Sequence, residues 1–329
     1  MGENEKMYSE FLEVSKRTGV PVKKVLDVFW YLSRSGVIGN NELVQKVGVS
    51  RNALNQVKEA LSIYLNPPTR ETSLKKGVAE SLGELYGDSY MIEESLVKIL
   101  VESDLYRQSV EILSRYEDRR PTPKRDYDQF TATIETTAKR AALLDFLGDV
   151  RGKRVLFLGD DDFTSVATAS VKSAKEVVVL DIDERILDNI ESISGELDLG
   201  IRGVRYDLRK PISADLRGIF DVVFTDPPYT PEGIKLFVSR ALEAIDKQNQ
   251  AGRVYVCYGN SDRAKKRFLP IQEILTDAGL MLRWVFDRFN RYRGAESIGS
   301  ASSLFVAEVT PKTKLLIKGN YDKQIYTND

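Results

Sequence analysis

Apolar residues in the first part of the chain recur at helical spacing. In VKKVLDVFWYLSRSG, Val25, Leu26, Phe29, Trp30 and Leu32 share one face, and Gly36 supplies a stop signal. The next stretch, NNELVQKVGVSRNALNQVKEALSIYL, offers Asn40 or Asn41 as a start cap, Gly48 at a tight turn and Ser50 as the cap of a second helix. Val47, Val49, Leu54, Val57 and Leu61 then face inward. Residues 8–66 are therefore predicted to form short amphipathic helices, and residues 90–116 a further helical stretch. EDRRPTPKRDYD breaks the pattern with two prolines and dense charge, as a linker would.

From residue 130 the pattern changes. FTATIETTAKRAALLDFLG reads as a helix, and residues 155–158 form a short apolar run bounded by charge before it and Gly159 after it. That is the signature of a buried parallel strand. KEVVVLDIDERILDNI repeats the plan, with a strand at 177–180 and Asp181 at its carboxyl end. GVRYDLRKP, FDVVFTDPPYTPEG, the helix IKLFVSRALEAI, the strand GRVYVCYGN and a helix near 263–278 follow. The alternation predicts an α/β domain with a doubly wound, mostly parallel sheet, completed by an antiparallel hairpin from MLRWVFDRFNRY and SASSLFVAEV. Ligands in such sheets sit beyond the carboxyl ends of the strands. There Tyr255 to Ser261 are expected to shape a pocket wall. Residues 311–329 read as a mobile tail, with Tyr321, Asp322 or Tyr326 as candidates to order over a ligand.

Composition removes several chemistries. The 329 residues include 48 Lys+Arg, 49 Asp+Glu, no His and one Cys. His-based triads, His general bases and His-rich metal sites are excluded. A single Cys257 excludes an internal disulfide framework and a Cys-only zinc site. Cys257 lies in an apolar strand and reads as core rather than nucleophile. Proton transfer is left mainly to Asp, Glu, Lys or Tyr. The start is unlike a targeting peptide and no run of about 18 apolar residues occurs, so a cytoplasmic protein is expected. The high charge content with few Cys and Met leans towards a heat-tolerant source.

Helix, glycine turn and capped helix make the helix-turn-helix pattern, which predicts an N-terminal α-helical, winged-helix-like domain over residues 1–120. Such a domain either reads DNA or packs against protein. Residues 1–120 carry 17 Lys+Arg and 18 Asp+Glu, and the second helix only Arg51 and Lys58, with Glu59 beside them. Phosphates require a basic face, so the packing role is favoured.

Residues 130–310 resemble the class I S-adenosylmethionine-dependent transferase fold, and a Rossmann-like domain is drawn over 121–310. The resemblance implies that Asp181, with Ile182 beside it, holds ribose hydroxyls, and that Asp207, with Leu208, faces the adenine amino group. A carboxylate suits a cis-diol because it accepts two hydrogen bonds. A helix cap is the alternative for Asp181, and Asp183 could equally be that cap.

The first loop departs from the usual glycine-rich form: Gly159 is followed by Asp160, Asp161 and Asp162. Three adjacent carboxylates raise one another's pKa unless a cation sits among them. A metal is possible, but no His or Cys is near and an amine explains more. A donor lacking the methionine carboxylate, decarboxylated S-adenosylmethionine, would suit this loop. A solvated acidic turn capping the next helix is the plainer alternative. At the fourth strand's end stands Asp226-Pro227-Pro228-Tyr229, a motif similar to that of amino-group methyltransferases. Its Asp accepts from the target N–H, the prolines fix the loop and the Tyr packs its face on the target.

GDDD at 159–162, DPPYT at 226–230 and the entry segment RDYDQFTATIETTAKR (125–140) together resemble the branched-chain polyamine synthases, the N(4)-bis(aminopropyl)spermidine synthase family. The resemblance implies successive aminopropyl transfers from decarboxylated S-adenosylmethionine to the internal secondary amine of spermidine. It implies a polyamine substrate, no tightly bound cofactor or metal, no need for membrane or nucleic acid, and a homodimer. The catalytic candidates are Asp161 and Asp226. Asp160, Asp162, Pro227, Pro228 and Tyr229 are expected to bind substrate, and Gly159, Asp181, Ile182, Asp207 and Leu208 the donor. An N-methyltransferase acting on nucleic acid or protein is the competing enzyme, and a DNA-binding regulator with a degenerate transferase domain the competing class.

Overall fold

In the computed structural model the described residues are 3–18, 20, 22–67, 70–86, 95–259, 265–293 and 300–327. They fall into two compact units. One comprises residues 1–94, 260–265 and 291–301; the other comprises 95–259, 266–290 and 302–329.

The first unit contains α1 (Glu3–Thr18), α2 (Val22–Ser35), β1 (Val37–Gly39), α3 (Asn40–Val47), α4 (Arg51–Ala60), β2 (Glu71–Ser73) and α5 (Val78–Tyr86). Its core is the predicted apolar stripe: Phe29, Leu32, Val47, Leu54 and Val57 are buried, joined by Phe11. The turn chemistry is as read. Gly48 ends α3 at φ 68°, a conformation that favours glycine, and the Ser50 hydroxyl accepts from the Ala53 amide at 3.2 Å to cap α4. Neither Asn40 nor Asn41 caps α3; Gly39 occupies that position. The Asn40 side-chain Oδ1 instead accepts from Lys58 Nζ at 2.7 Å and Thr72 Oγ1 at 2.6 Å, which joins α3, α4 and β2. β1 and β2 pair antiparallel beside the helices. Arg51 donates to Asn41 at 2.5 Å, so both basic groups of α4 are engaged within their own unit.

The second unit begins with α6 (Ser95–Glu102), α7 (Asp104–Arg115) and α8 (Ile134–Phe146). Seven strands follow, β3 (Arg154–Leu158), β4 (Glu176–Asp181), β5 (Ile201–Arg205), β6 (Val222–Thr225), β7 (Arg253–Gly259), β8 (Met281–Arg291) and β9 (Ala301–Glu308), interleaved with α9 (Thr164–Ala169), α10 (Glu184–Leu197), α11 (Pro231–Ala244), α12 (Lys265–Phe268) and α13 (Pro270–Asp277). The sheet order is β5-β4-β3-β6-β7-β9-β8. The first five strands pair in parallel, and β9 runs antiparallel to β7. The chain order reverses beside β3, so the ends of β3 and β6 open a crevice at that point. Cys257 is buried in β7, among core residues.

Three boundaries differ from the sequence reading. Leu100, Leu113 and Tyr116 are buried in the same core as α8 and β3, so the compact division follows residue 94 rather than 120. The helix expected near 263–278 is two helices, because Pro270 starts a new one. Residues 311–327, expected as part of a mobile tail, lack regular structure but are packed: Ile317 and Ile325 are buried, and the fully buried Arg240 donates to the Gly319 carbonyl at 2.7 Å. Asn260 and Ser261, expected at the pocket wall, lie outside the described residues. No helix among the described residues is long and apolar enough to cross a membrane.

Candidate active site

Gly159 leaves β3 at φ 73° with open space where a side chain would stand, so the turn needs glycine for its backbone conformation and not for lack of room. The three aspartates that follow have three different fates. Asp160 is buried, and its carboxylate accepts from the Thr164 amide at 2.7 Å and the Ser165 amide at 3.0 Å. It therefore caps α9 rather than presenting both oxygens to substrate. Burial pushes its pKa up to about 7. Asp162 is also buried; its oxygens accept from the Ala132 amide at 2.5 Å and from Arg140 Nη1 at 2.9 Å. Asp162, expected to anchor a flanking ammonium, is thus already held by a guanidinium.

Asp161 between them is half-buried and has no hydrogen bond or ion pair among the described residues. Burial, together with Asp162, Asp226, Asp181 and Asp160, pushes its pKa well above the ordinary carboxylate range. The Arg120 guanidinium faces it as well but does not offset this crowd; an approaching ammonium would.

Asp226 leaves β6, and its Oδ2 accepts from Arg140 Nη2 at 2.7 Å. The Tyr229 hydroxyl donates to Asp226 Oδ1 at 3.1 Å, and the Tyr229 ring packs on Tyr258 with centroids 5.3 Å apart. Pro227 and Pro228 are buried between them, while Tyr229 is half-buried and faces a cleft of about 700 Å³ shared with Glu232, Lys323 and Tyr326. The structure thus brings the two motifs together around one guanidinium, that of Arg140, a residue sequence reasoning missed. The available signal was an Arg directly before the apolar AALL run of α8.

On the other side of β3, Asp181 is buried and accepts from the Asp183 amide at 2.9 Å and the Asp160 amide at 3.0 Å. Burial pushes it up to about 6. Asp183, not Asp181, caps α10, and its Arg185 partner holds it down at about 2. Ile182 is half-buried between the two. Asp207 stands two residues past β5, forked by the Arg209 guanidinium at 2.9–3.1 Å, and Leu208 beneath it is buried. Arg209 therefore already occupies the Asp207 oxygens expected to meet an adenine amino group.

Two segments outside the motifs frame the site. Arg120, read as part of a linker, donates to the carbonyls of Ala132 at 2.9 Å and Asp162 at 2.8 Å, fixing the acidic loop. At the C-terminal end, Thr327 donates to Asp128 through its amide at 2.8 Å, and the Tyr326 ring lies 5.7 Å from that of Tyr127. Burial raises the Tyr326 phenol, as do Asp207 and Asp181, which face it.

The fold is shared with the branched-chain polyamine synthase of Thermus thermophilus, solved with N4-aminopropylspermidine and 5'-methylthioadenosine. The match has a TM-score of 0.67 at 24% identity and covers 99% of this chain and 98% of that one. An uncharacterised protein of Methanocaldococcus jannaschii is 38% identical over 257 residues, 78% of this chain and 64% of its own length. The N(4)-bis(aminopropyl)spermidine synthase of the same organism is 34% identical over 55% of this chain and 53% of its own length. That of Thermococcus kodakarensis is 35% identical over 58% and 55%. The chain thus spans between about half and two thirds of the length of the curated relatives it matches. The family model for the branched-chain polyamine synthase A C-terminal domain matches residues 104–327, and the chain belongs to that family.

Proposed function

We propose that this protein transfers aminopropyl groups from decarboxylated S-adenosylmethionine to the internal secondary amine of spermidine. The products are N(4)-aminopropylspermidine, then quaternary N(4)-bis(aminopropyl)spermidine, with methylthioadenosine released at each step. The observation that carries the reading is Asp161, a carboxylate with no hydrogen bond or ion pair among the described residues and crowded by four others, a setting that suits an amine and not a carboxylate. Family membership and the names of the relatives support it.

The sulfonium carbon of the donor is already electrophilic, so the protein's work is to align, desolvate and deprotonate the attacking nitrogen. A secondary amine arrives as an ammonium. Asp161 takes its proton, a task eased by a pKa raised towards that of the amine. The nitrogen lone pair then forms the N–C bond while the C–S electrons leave with sulfur as a neutral thioether. In the second transfer the tertiary ammonium must lose its proton again, and the quaternary product keeps its charge among the carboxylates. Asp226 and the Tyr229 face lie on the side of the nitrogen being alkylated. Asp160 and Asp162, committed to α9 and Arg140, act on flanking ammoniums through space. Asp181 and Ile182 with Asp207 and Leu208 flank the donor's nucleoside.

The test is direct. Incubation with spermidine and decarboxylated S-adenosylmethionine should add one, then two, aminopropyl masses. Methyl increments with S-adenosylmethionine, and none with the decarboxylated donor, would instead establish the N-methyltransferase suggested by the Asp-Pro-Pro-Tyr loop. Within the same proposal the first unit is a winged-helix-like packing module, and the enzyme works as a cytoplasmic homodimer, which light scattering would test.

A further inference from the structure

Arg140 is 1% exposed, so it stands behind the acidic residues and out of reach of substrate. Each of its nitrogens serves a different side chain: Nε donates to Asn290 Oδ1 at 2.8 Å, Nη1 to Asp162 Oδ2 at 2.9 Å and Nη2 to Asp226 Oδ2 at 2.7 Å. Asn290 donates in turn to Ser302 Oγ at 2.9 Å, and the guanidinium lies 5.5 Å over the Phe224 ring. A planar guanidinium fixes the separation and angle of two carboxylates in a way a flexible ammonium does not.

Resting on the aminopropyl-transfer reading, the geometry points to Arg140 as the positioning residue of the reaction. It aims Asp226 at Tyr229 and neutralises Asp162, so that Asp161 alone of the acidic loop is left to meet the acceptor amine. Two consequences follow from charge. With Arg140 in place, the loop after β3 and the loop after β6 are held at a fixed spacing. Without it, Asp162 is a buried carboxylate left with Arg120 as its remaining cation, and it gains affinity for protons. The charged and titratable groups facing this pair are Arg120 from the segment before α8, Asp160 and Asp161 from the acidic loop, Asp181 from β4, Tyr229 after β6 and Cys257 from β7. Of these only Arg120 is cationic; it donates to the backbone carbonyls of Ala132 and Asp162 and acts on the Asp162 carboxyl through space, where it lowers the pKa.

The experiment measures kcat, KM for donor and acceptor, and the pH profile of kcat in wild type, Arg140→Lys and Asn290→Ala, with thermal unfolding alongside. Wild type must first transfer aminopropyl groups; its failure would refute the functional reading and not this inference. A lysine keeps the charge but cannot bridge both carboxylates, so kcat should fall about tenfold or more while both KM values stay within about threefold. The acid limb of kcat should move up by about one pH unit, because the released carboxylate binds a proton more readily. A loss of kcat that only follows the unfolded fraction, with the acid limb unmoved, overturns the proposal. Should Arg140→Lys show no cooperative unfolding transition, Asn290→Ala decides. It leaves both ion pairs but frees Nε, and a smaller shift of the acid limb in the same direction supports the proposal. An unchanged kcat and profile overturn it.

Discussion

The Thr230 hydroxyl donates to the Ile325 carbonyl at 2.6 Å, joining the turn after the Asp-Pro-Pro-Tyr loop to the C-terminal segment. The same oxygen accepts from the Gly233 amide at 2.9 Å and caps α11. One side chain thus starts a helix and straps down the chain end. Thr230→Val keeps the shape and removes both bonds, at a cost of about 1 kcal/mol from the cap alone. Thr230→Ser should cost little. Limited proteolysis should cut residues 311–327 faster in Thr230→Val than in wild type. Equal cleavage rates in the two would show that the strap does not hold the segment.

Asp160 and Asp161 are neighbours in sequence with opposite expected phenotypes. Asp160→Ala strips the α9 cap and leaves the Thr164 and Ser165 amides without that acceptor, so it should lose about 1–2 kcal/mol of stability. Asp161→Asn removes a crowded, unpartnered carboxylate and should leave stability equal or higher while abolishing turnover. Denaturant titration and product masses on both variants check the contrast. Near-full aminopropyl transfer by Asp161→Asn would remove Asp161 from the mechanism.

That contrast also marks what the sequence could reveal. Period and punctuation made the strands at 154–158 and 176–181, the Gly48 turn and the Ser50 cap legible, because each is a local event. The concentration of acid at Asp160–Asp162 was legible for the same reason. How the three divide their work was not, because it depends on partners far along the chain. Asp162 meets Arg140 and Ala132, and Asp226 meets that same Arg140. Likewise the proline-rich charge run read as a linker, since Arg120 is anchored by the carbonyls of Ala132 and Asp162, which carry no sequence signal. The tail read as mobile because its bonds to Thr230, Arg240 and Asp128 are isolated tertiary contacts rather than a periodic pattern.

Stability should fall as pH rises from about 5 to 7. Asp160, at about 7, and Asp181, at about 6, are both raised by burial above the unfolded value of about 3.9. In that window the unfolded chain has already lost protons that the folded chain keeps, so raising pH favours unfolding. Above about pH 7 the loss is complete. Asp183, held at about 2, acts in the opposite sense and only below the unfolded carboxylate range. Spermidine compensates the ionised cluster, so it should raise Tm more at pH 8 than at pH 5. Melting curves at both pH values, with and without spermidine, measure this. A Tm that climbs between pH 5 and 7 without polyamine would contradict the assignment.

Tyr229 has two separable contributions. Its hydroxyl orients Asp226 through a 3.1 Å hydrogen bond, and its ring, packed on Tyr258, offers a face to the alkylated nitrogen. Tyr229→Phe loses only the hydroxyl, a net effect of about 1 kcal/mol, or roughly fivefold in kcat, with acceptor KM nearly unchanged. Tyr229→Ala also loses the face, worth about 0.5–2 kcal/mol to a cation, so acceptor KM should rise as well. The quaternary product carries a charge that cannot be discharged by losing a proton. The second transfer should therefore suffer more than the first in Tyr229→Ala, and N(4)-aminopropylspermidine should accumulate in the product masses. Equal slowing of both transfers would place the ring's role in packing against Tyr258 rather than in contact with the charged nitrogen.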